Sequence, residues 1–339
     1  MKGKRPFIIA EMSGNHNQSL ERAIAIVDAA AAAGVDAVKI QTYTADTMTL
    51  DIDTDEFFIA DKDSLWKGES LYHLYAKAHT PWEWHKPLFD RCKELGIMGF
   101  STPFDDTSVD FLEELDVPCY KIASFENVDL PLIRKVACTG KPIIASTGMT
   151  TVSELEDLVR TARENGCTDL TLLKCTSSYP SSPEETNLRT IPHMRELFGC
   201  EVGLSDHTLG IGVAVASVAL GASVIEKHFT LSRADGGVDA VFSLEPNEMA
   251  QLVRECRSAA LAMGGVSYEI AEQERKSLQF RRSLYVAEDM VVGEVFTEKN
   301  LRRIRPGRGL LPKHYDALLG RRVKCNVKRG TAASWDLVE

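Results

Sequence analysis

The chain of 339 residues is acidic, with 49 Asp and Glu against 39 Lys and Arg and a formal net charge of −10. Hydrophobic residues make up 44% and charged residues 26%, which is ordinary for a globular protein with a full core. The net charge disfavours nucleic acid as a partner, because binding a phosphate backbone requires a broad basic patch, and we predict none. Without a window of ~18 uncharged apolar residues, we predict no membrane span, and the apolar run ended by Glu11 is too short for a signal peptide.

The eight cysteines are scattered along the chain without a CxxC pair, and several lie in apolar runs such as "LLKCTS". This pattern favours reduced, mostly buried thiols and a cytoplasmic location over a disulfide or zinc framework.

Eight short apolar runs typical of strands alternate with amphipathic stretches typical of helices. The runs are residues 7–12, 36–42, 97–103, 119–124, 142–147, 170–177, 201–207 and 223–229. Helix starts are indicated by Thr80 before Pro81, and by Thr151 with Glu154 as a capping box. Because the strands are too apolar for a half-exposed antiparallel sheet, the pattern predicts an α/β fold, a (β/α)8 TIM barrel. The alternative is a doubly wound open sheet, although no GxGxxG follows the first strand.

The character of the sequence changes after Gly264 and Gly265. A charged stretch leads into short strand-like pieces, "SLYVAEDM" and "RRVKCNVKRG". We therefore predict a barrel domain over 1–263, a linker over 264–280 and a small β-rich domain over 281–339.

Polar residues stand at the end of every predicted strand, where a barrel of this type builds its active site. They are Glu11, Lys39, Gln41, Thr102, Lys121, Ser124, Glu126, Ser146, the segment 175–179, Ser205, His207, Glu226 and His228. Singly, each has an ordinary explanation, since a lysine near a strand end is more often solvated and a serine in a turn is usually a cap. Together, the two lysines and the hydroxyls suit a ligand with carboxylate and phosphate groups.

His207 and His228 are too far apart in sequence for a local metal motif, but the ends of strands seven and eight are neighbours in a barrel. Two imidazoles with oxygen ligands would suit Mn²⁺ or Mg²⁺ better than a closed zinc site. Strand alternation sends Glu226 and His228 to the interior and Lys227 and Asp206 to the outer side. The sequence does not indicate what Lys227 pairs with.

Nine stretches, in this order, match the motifs of a known enzyme family: "AEMSGNHN", "AVKIQTYTAD", "STPFD", "YKIASFE", "STGM", "CTSSYP", "GLSDHTLG", "IEKHFTL" and "RPGRGL". Together they resemble the sialic acid synthase family, whose members condense phosphoenolpyruvate with an amino-sugar to a nine-carbon 2-keto acid. The tail resembles the SAF, or antifreeze-like, domain. The stretches "EMSGNHNQSLE", "SLWKGESLYHLY" and "SRADGGVDAVFSLEP" are most similar to the branch that uses 2,4-diacetamido-2,4,6-trideoxy-L-altrose; the branches that make N-acetylneuraminate or legionaminate are the alternative.

The resemblance implies a role for each matching residue. A divalent metal, Mn²⁺ or Mg²⁺, would be held by His207 and His228, and Glu126 and Glu11 would be the acid and base. The phosphoenolpyruvate carboxylate would meet Lys39 and Lys121, and its phosphate would meet Ser124, Ser146, Ser205 and Ser177, although many relatives have Asn at the last position. The remaining substrate contacts would be Gln41, Thr102, Phe104, Tyr179 and Asp239, with Arg305 supplied by a partner subunit. The implied assembly is a domain-swapped homodimer in which each small domain caps the other subunit's barrel.

Two other hypotheses remain open from the residues. A lysine Schiff-base aldolase could use Lys121 or Lys39 as its nucleophile on the same barrel. A non-catalytic sugar-binding protein is disfavoured, because so many ionisable groups at strand ends are costly to keep without a function.

Overall fold

The computed structural model describes residues 5–52, 54–60 and 65–339. The chain divides into two compact units, Met1–Gly265 and Val266–Glu339, which are treated separately. The first four residues, which begin the segment tested for a signal peptide, and Ser64 of "SLWKGESLYHLY" lie outside the described ranges.

The first unit is a closed barrel of eight parallel strands, in which each strand pairs with the next and the eighth pairs with the first. The strands are β1 Phe7–Glu11, β2 Ala37–Thr42, β3 Met98–Pro103, β4 Tyr120–Ile122, β5 Ile143–Ser146, β6 Leu170–Cys175, β7 Glu201–Asp206 and β8 Val224–His228. This confirms the predicted (β/α)8 barrel and rules out the open sheet. The strands end up to two residues earlier than predicted, so Ser124, Ser177 and His207 lie at the start of loops.

Helices surround the barrel, and most of them bury one face against the strands. In the first unit they are α1 Leu20–Ala33, α2 Ala45–Met48, α3 Leu71–Ala78, α4 His85–Glu94, α5 Asp106–Glu114, α6 Leu130–Cys138, α7 Val152–Glu164, α8 Thr190–Phe198, α9 Gly212–Ala219 and α10 Pro246–Met263. In the part of the chain that the structure describes, none of the helices has both the length and the apolar character needed to cross a membrane. All eight cysteines are free, and Cys138 and Cys325 are the exposed ones.

Of the two predicted helix starts, the structure has the one at Thr151 and lacks the one at Thr80. The Thr151 side chain accepts from the Glu154 backbone N–H at 3.3 Å, and Glu154 Oε2 accepts from the Thr151 N–H at 2.7 Å, so the capping box is confirmed. The start at Thr80 is wrong, because a 3-10 turn intervenes and α4 begins only at His85. Thr80 Oγ1 instead lies 3.3 Å from His16 Nε2, so its hydroxyl bonds across the chain rather than to the helix.

The inside of the barrel is layered, because alternate residues of every strand point inward. Toward the amino ends of the strands the inward side chains are apolar: Ile9, Ala37, Phe100, Cys119, Ile144, Leu173 and Val224. Two residues further along the strands, the same inward positions carry charged or hydroxyl groups, except on β6, where the position is Cys175. The ionisable residues at the ends of the strands therefore do not interrupt the core, since they form the next layer above it.

Lys227 and Asp206 lie on the outer side of β8 and β7, as predicted, and they pair with each other. Lys227 Nζ is 2.7 Å from Asp206 Oδ2, and the two side chains are 0% and 1% exposed. Asp206 Oδ1 also accepts from the backbone N–H and the hydroxyl of Thr208 at 2.9 and 2.8 Å. This buried ion pair ties the end of β7 to β8.

The second unit contains β9 Ser283–Val286 and β10 Leu301–Ile304, which form a two-stranded antiparallel sheet. It also holds two short helices, α11 Glu272–Arg275, inside the predicted linker, and α12 Tyr315–Leu318. Its own core includes Leu284, Val286, Phe296, Leu301, Leu318 and Val323. The piece "SLYVAEDM" gives β9, whereas "RRVKCNVKRG" was wrong as a strand, since it makes only isolated bridges.

Candidate functional site

A buried set of charges occupies the polar layer of the barrel. Lys39 Nζ lies 2.7 Å from Glu11 Oε2 and donates to Thr102 Oγ1 at 3.1 Å. Lys121 Nζ donates to Ser146 Oγ at 2.7 Å. These residues come from five adjacent strands, and the closed barrel brings them together although they span 135 positions of the chain.

Glu226 connects the two lysines. Its Oε1 lies 3.9 Å from Lys39 Nζ and 3.6 Å from Lys121 Nζ, and it accepts from Ser205 Oγ at 3.2 Å. Its Oε2 is buried without a hydrogen-bond partner, as is Glu11 Oε2 apart from the Lys39 ion pair. Unsatisfied buried oxygens are costly, so the layer is suited to receive further donors from a ligand.

The environment separates the pKa values of the two carboxyls. Burial raises the pKa of Glu11, and the nearby Glu226 charge raises it further against the opposing effect of Lys39. Burial would also raise the pKa of Glu226, but Lys121 and Lys39 outweigh it and keep that pKa low. Of the two carboxyls, Glu11 therefore binds a proton more readily and Glu226 stays ionised to lower pH.

Two imidazoles lie above this layer at the barrel mouth. The ring centroids of His207 and His228 are 5.3 Å apart, and Tyr179 lies 4.5 Å from the His207 ring. Phe242 packs against His228 at 4.8 Å, which closes one side of the pair. The mouth is therefore an aromatic-lined opening with two ring nitrogens next to each other.

The two histidines have the chemistry of a metal-binding pair, although the described residues contain no group of three or more His, Cys, Asp and Glu arranged to hold a metal. His207 Nδ1 lies 3.0 Å from the Thr176 carbonyl, which fixes the ring and leaves Nε2 as an acceptor. His228 Nδ1 is buried without a hydrogen-bond partner. Burial, together with the His207 and lysine charges, lowers the pKa of His228, so the imidazole stays neutral. Burial lowers the pKa of His207, but the hydrogen bond and charge of Cys175 outweigh it and raise that pKa. Once His207 has lost its proton to a bound cation, the two imidazoles fit a divalent ion whose remaining ligands are oxygens.

A second cluster lies beside the histidines. Asp239 Oδ2 is 3.7 Å from His228 Nδ1 and accepts a short hydrogen bond from Ser13 Oγ. Gln41 Nε2 donates to Glu11 Oε1 at 2.8 Å and to Ser13 Oγ at 3.2 Å. Two of the predicted sugar contacts, Gln41 and Asp239, are thus joined through a serine that the sequence did not single out.

Two of the four predicted phosphate contacts, Ser124 and Ser177, form a third cluster around Gly148, whereas Ser146 and Ser205 bond to Lys121 and Glu226. The Gly148 N–H donates to Ser124 Oγ at 3.1 Å, and a Cβ at this position would lie 2.8 Å from Ser124 Oγ and 2.1 Å from Ser177 Oγ. Only glycine fits there. Asn127 Nδ2 donates to the Gly148 carbonyl at 3.0 Å and holds the loop. The quoted "STGM" motif was the one sequence signal for Gly148, and nothing marked Asn127.

Cys175 was also missed, apart from its place in the strand-end segment. Its Sγ lies 3.8 Å from both His207 Nδ1 and Ser177 Oγ. Burial opposes ionisation of the thiol, but the hydrogen bond and charge of His207 outweigh it and lower the pKa of Cys175 to about 7. The thiol thereby links the histidine pair to the hydroxyl cluster.

Phe104 and Arg305 are the remaining predicted substrate contacts. The Phe104 ring contacts Tyr43, with centroids 5.1 Å apart, so it forms part of an aromatic wall. Arg305 is exposed in the second unit, directly after β10.

Glu126 follows β4, and its Oε2 is buried without a hydrogen-bond partner. Burial, opposed in part by Lys121, raises the pKa of Glu126 to about 7. The folded protein therefore takes up a proton here between about pH 4.5 and 7, and its stability falls as the pH rises through that window. We expect Glu126→Gln to be more stable than the parent protein at pH 8, by about 1–3 kcal/mol, with little difference at pH 5.

Urea unfolding of both proteins at the two pH values measures this effect. Glu156→Gln, an exposed change on α7, is the matched control and should change stability by less than about 0.5 kcal/mol at either pH. A Glu126→Gln effect of equal size at pH 5 and pH 8 would show that the carboxyl does not titrate in this range.

A parallel barrel with this polar layer, followed by a small β domain, is the architecture that the resemblance predicted, and comparison with known proteins confirms the class. Residues 26–268 match the NeuB family, and residues 281–339 match the SAF domain. The chain therefore belongs to the NeuB family.

Individual relatives match almost end to end. A pseudaminic acid synthase of Campylobacter jejuni is 45% identical over 97% of this chain and 95% of its own. A pseudaminic acid synthase of Helicobacter pylori is 43% identical over 98% of both chains. Among solved structures, the N-acetylneuraminic acid (sialic acid) synthetase of Leptospira borgpetersenii, in complex with citrate, is 31% identical, with a TM-score of 0.70 over 82% of this chain and 92% of that one.

Proposed function

We propose that this protein is a pseudaminic acid synthase, which joins phosphoenolpyruvate to 2,4-diacetamido-2,4,6-trideoxy-L-altrose and releases phosphate. The observation that carries the proposal is the end-to-end likeness, at 43–45% identity, to two proteins of that name. The buried layer of lysines, carboxyls and hydroxyls supports it, because such a layer suits a substrate with carboxylate and phosphate groups. The sister synthases that make N-acetylneuraminate or legionaminate are the alternative of the same class.

Phosphoenolpyruvate would bind in the polar layer. Lys39 and Lys121, now paired with carboxyls, would donate to its carboxylate. The hydroxyl groups near Lys121 and Gly148 would donate to its phosphate; they belong to Ser124, Ser146, Ser177 and Ser205. A lysine ammonium carries three donors, so each of these lysines can bind an anionic ligand in addition to its carboxyl partner.

The acceptor would bind above this layer, against Gln41, Tyr179 and Asp239, with Thr102 and Phe104 as further contacts. C3 of phosphoenolpyruvate attacks the aldehyde carbon of the open-chain sugar, and the aldehyde oxygen takes up a proton. Water adds to the cationic C2 and loses a proton, and the resulting tetrahedral carbon expels phosphate by C–O cleavage. The product is a 2-keto acid, and the atoms balance without an oxidant or reductant.

Protein groups would handle the protons and the charge. Glu126, with its pKa near 7, can give and take a proton at neutral pH, and Glu11 is the second candidate. Fixed cations and hydroxyls around the reacting groups would stabilise the developing charge and keep the two substrates in register. His207 and His228 would hold Mn²⁺ or Mg²⁺, which supplies Lewis-acid polarisation of the aldehyde when bound.

The assay that tests the proposal supplies purified protein with phosphoenolpyruvate, Mn²⁺ and one candidate amino-sugar at a time, and follows phosphate release. We expect turnover with the diacetamido sugar. Turnover of N-acetylmannosamine alone would replace the proposal with the sister synthase. A lysine adduct trapped by borohydride would instead favour the aldolase, and sugar binding without turnover would favour the non-catalytic protein.

We also propose a homodimer in which the second unit of one subunit covers the barrel of the other. Six large apolar side chains in or next to the loops at the carboxyl ends of the strands are 53–64% exposed: Phe125, Val128, Met149, Val152, Leu209 and Val241. An exposed apolar rim of this kind marks an interaction surface. The region 281–339 carries thirteen Lys and Arg against seven Asp and Glu, while the whole chain has a net charge of −10, so the two regions are complementary in charge.

The swapped arrangement predicts complementation between two defective variants. Arg305→Ala should chiefly raise the KM for the sugar, and His228→Ala should abolish turnover. Coexpressed in equal amounts, they should recover about one quarter of the parental activity at low sugar, because half of the dimers are mixed and each has one intact site. Differently tagged chains and tandem purification give the mixed dimer for this measurement.

If each chain instead covers its own barrel, the mixed dimer will show no more activity than the separate variants. A truncation at about residue 265 provides the control, since it should fold as a barrel and lose activity.

We also propose a cytoplasmic location, because the pattern of the cysteines favours reduced thiols over disulfides.

A further inference from the structure

Ser13 has an unusual backbone conformation for a residue other than glycine. Its φ is 47°, in the left-handed region, and the residue is only 4% exposed. Residues with a side chain rarely adopt this conformation unless the surrounding structure enforces it, and such residues concentrate at functional sites. Glycine would adopt the same turn without strain, so the presence of a serine suggests that its hydroxyl is needed.

The hydroxyl of Ser13 joins two side chains from different parts of the chain. It donates to Asp239 Oδ2, 226 positions away, and accepts from Gln41 Nε2 at 3.2 Å. These bonds use the single proton of the hydroxyl and one of its two lone pairs. Without it, the Asp239 carboxylate would lose a donor and Gln41 would lose one of its two acceptors.

These bonds also decide which atoms are available to a ligand. Because Gln41 Nε2 donates to both Glu11 Oε1 and Ser13 Oγ, the amide oxygen of Gln41 is the atom free to accept. Ser13 engages Oδ2 of Asp239, so Oδ1 is the carboxylate oxygen that can accept from a substrate. Two acceptors held at fixed places suit a sugar that presents two donors, as the N–H groups of two acetamido substituents do.

We propose that Ser13 is a positioning residue that determines acceptor specificity by fixing Gln41 and Asp239 as a pair of acceptors for a diacetamido sugar. The inference rests on the proposed function and adds to it the feature that selects the sugar. Ser13 itself need not touch the substrate.

Ser13→Gly tests the inference, because it removes the hydroxyl while relieving the backbone. We expect the KM for the diacetamido sugar to rise about 10-fold to 100-fold, as for loss of a hydrogen bond to a charged group. The KM for phosphoenolpyruvate should change by less than about twofold, and the melting temperature should not fall. The ratio of kcat/KM between the diacetamido sugar and N-acetylmannosamine should drop. Ser13→Ala should lower the same ratio and also lower stability, because it loses both hydrogen bonds without relieving the backbone.

Asp116→Gly is the matched control: Asp116 also has positive φ, at 50°, but lies between α5 and β4 at the opposite end of the barrel. It should leave both KM values unchanged.

An unchanged sugar KM in Ser13→Gly would overturn the inference. So would equal rises in both KM values together with a lower melting temperature, which would indicate a merely structural role. Absence of phosphate release by the parent protein with every sugar would overturn the proposed function, and this inference with it.

Discussion

Replacing His228 with alanine should lower kcat about 10³-fold or more while the barrel stays folded. The imidazole is one of two at the barrel mouth, and its Nδ1 is buried without a hydrogen-bond partner in a position that suits a metal ligand. Loss of a Lewis acid from the site removes several kcal/mol of transition-state stabilisation. Phosphate release at saturating phosphoenolpyruvate and sugar measures the effect.

Folding and metal binding are measured separately. Circular dichroism should show an intact barrel in His228→Ala, and calorimetric titration should show that it binds Mn²⁺ at least about 10-fold more weakly than the parent protein. His193→Ala, an exposed change on α8, is the matched control and should leave both properties unchanged. Near-normal turnover of His228→Ala, or undiminished Mn²⁺ binding, would remove His228 from the proposed metal site.

The barrel and its polar layer could be predicted from the sequence because the information is local. Alternation within a strand decides which residues point inward, so Glu226 and His228 could be separated from Lys227 without a structure. Barrel closure then places the ends of all eight strands in one ring, whatever their distance in sequence. That is why Lys39 and Lys121, 82 positions apart, could both be expected near Glu226.

Contacts made by loops could not be predicted in this way. The bond from Ser13 to Asp239 depends on a left-handed turn after β1 and on the path of the chain after β8, and neither has a periodic signal. The helix start predicted at Thr80 failed for the same reason. A hydroxyl before a proline is typical of a helix cap, but the Thr80 hydroxyl bonds to His16 instead. Local patterns identify candidate donors, whereas tertiary structure selects their acceptors.

The partner of Lys227 depends on register, which the sequence also does not state. Asp206 and Lys227 are paired positions on β7 and β8, so a shift by one residue would turn one of them into the barrel. Their ion pair is buried under the helices, where removing one member leaves an uncompensated charge. The pair therefore favours the register that brings Ser205 next to Glu226 on the inner side.

Lys227→Met should destabilise the protein by about 3–5 kcal/mol, as expected when one member of a buried ion pair is lost. Adding Asp206→Asn removes the carboxylate charge that Lys227→Met leaves unpaired, but it keeps an oxygen for the two Thr208 donors. The double variant should therefore recover most of the lost stability. Lys86→Met is the matched control, because Lys86 and Asp90 have the same 2.7 Å separation but are 70% and 58% exposed, and it should cost less than about 1 kcal/mol. Urea unfolding measures all three. A double variant as unstable as Lys227→Met would show that the lysine contributes through packing rather than through its charge.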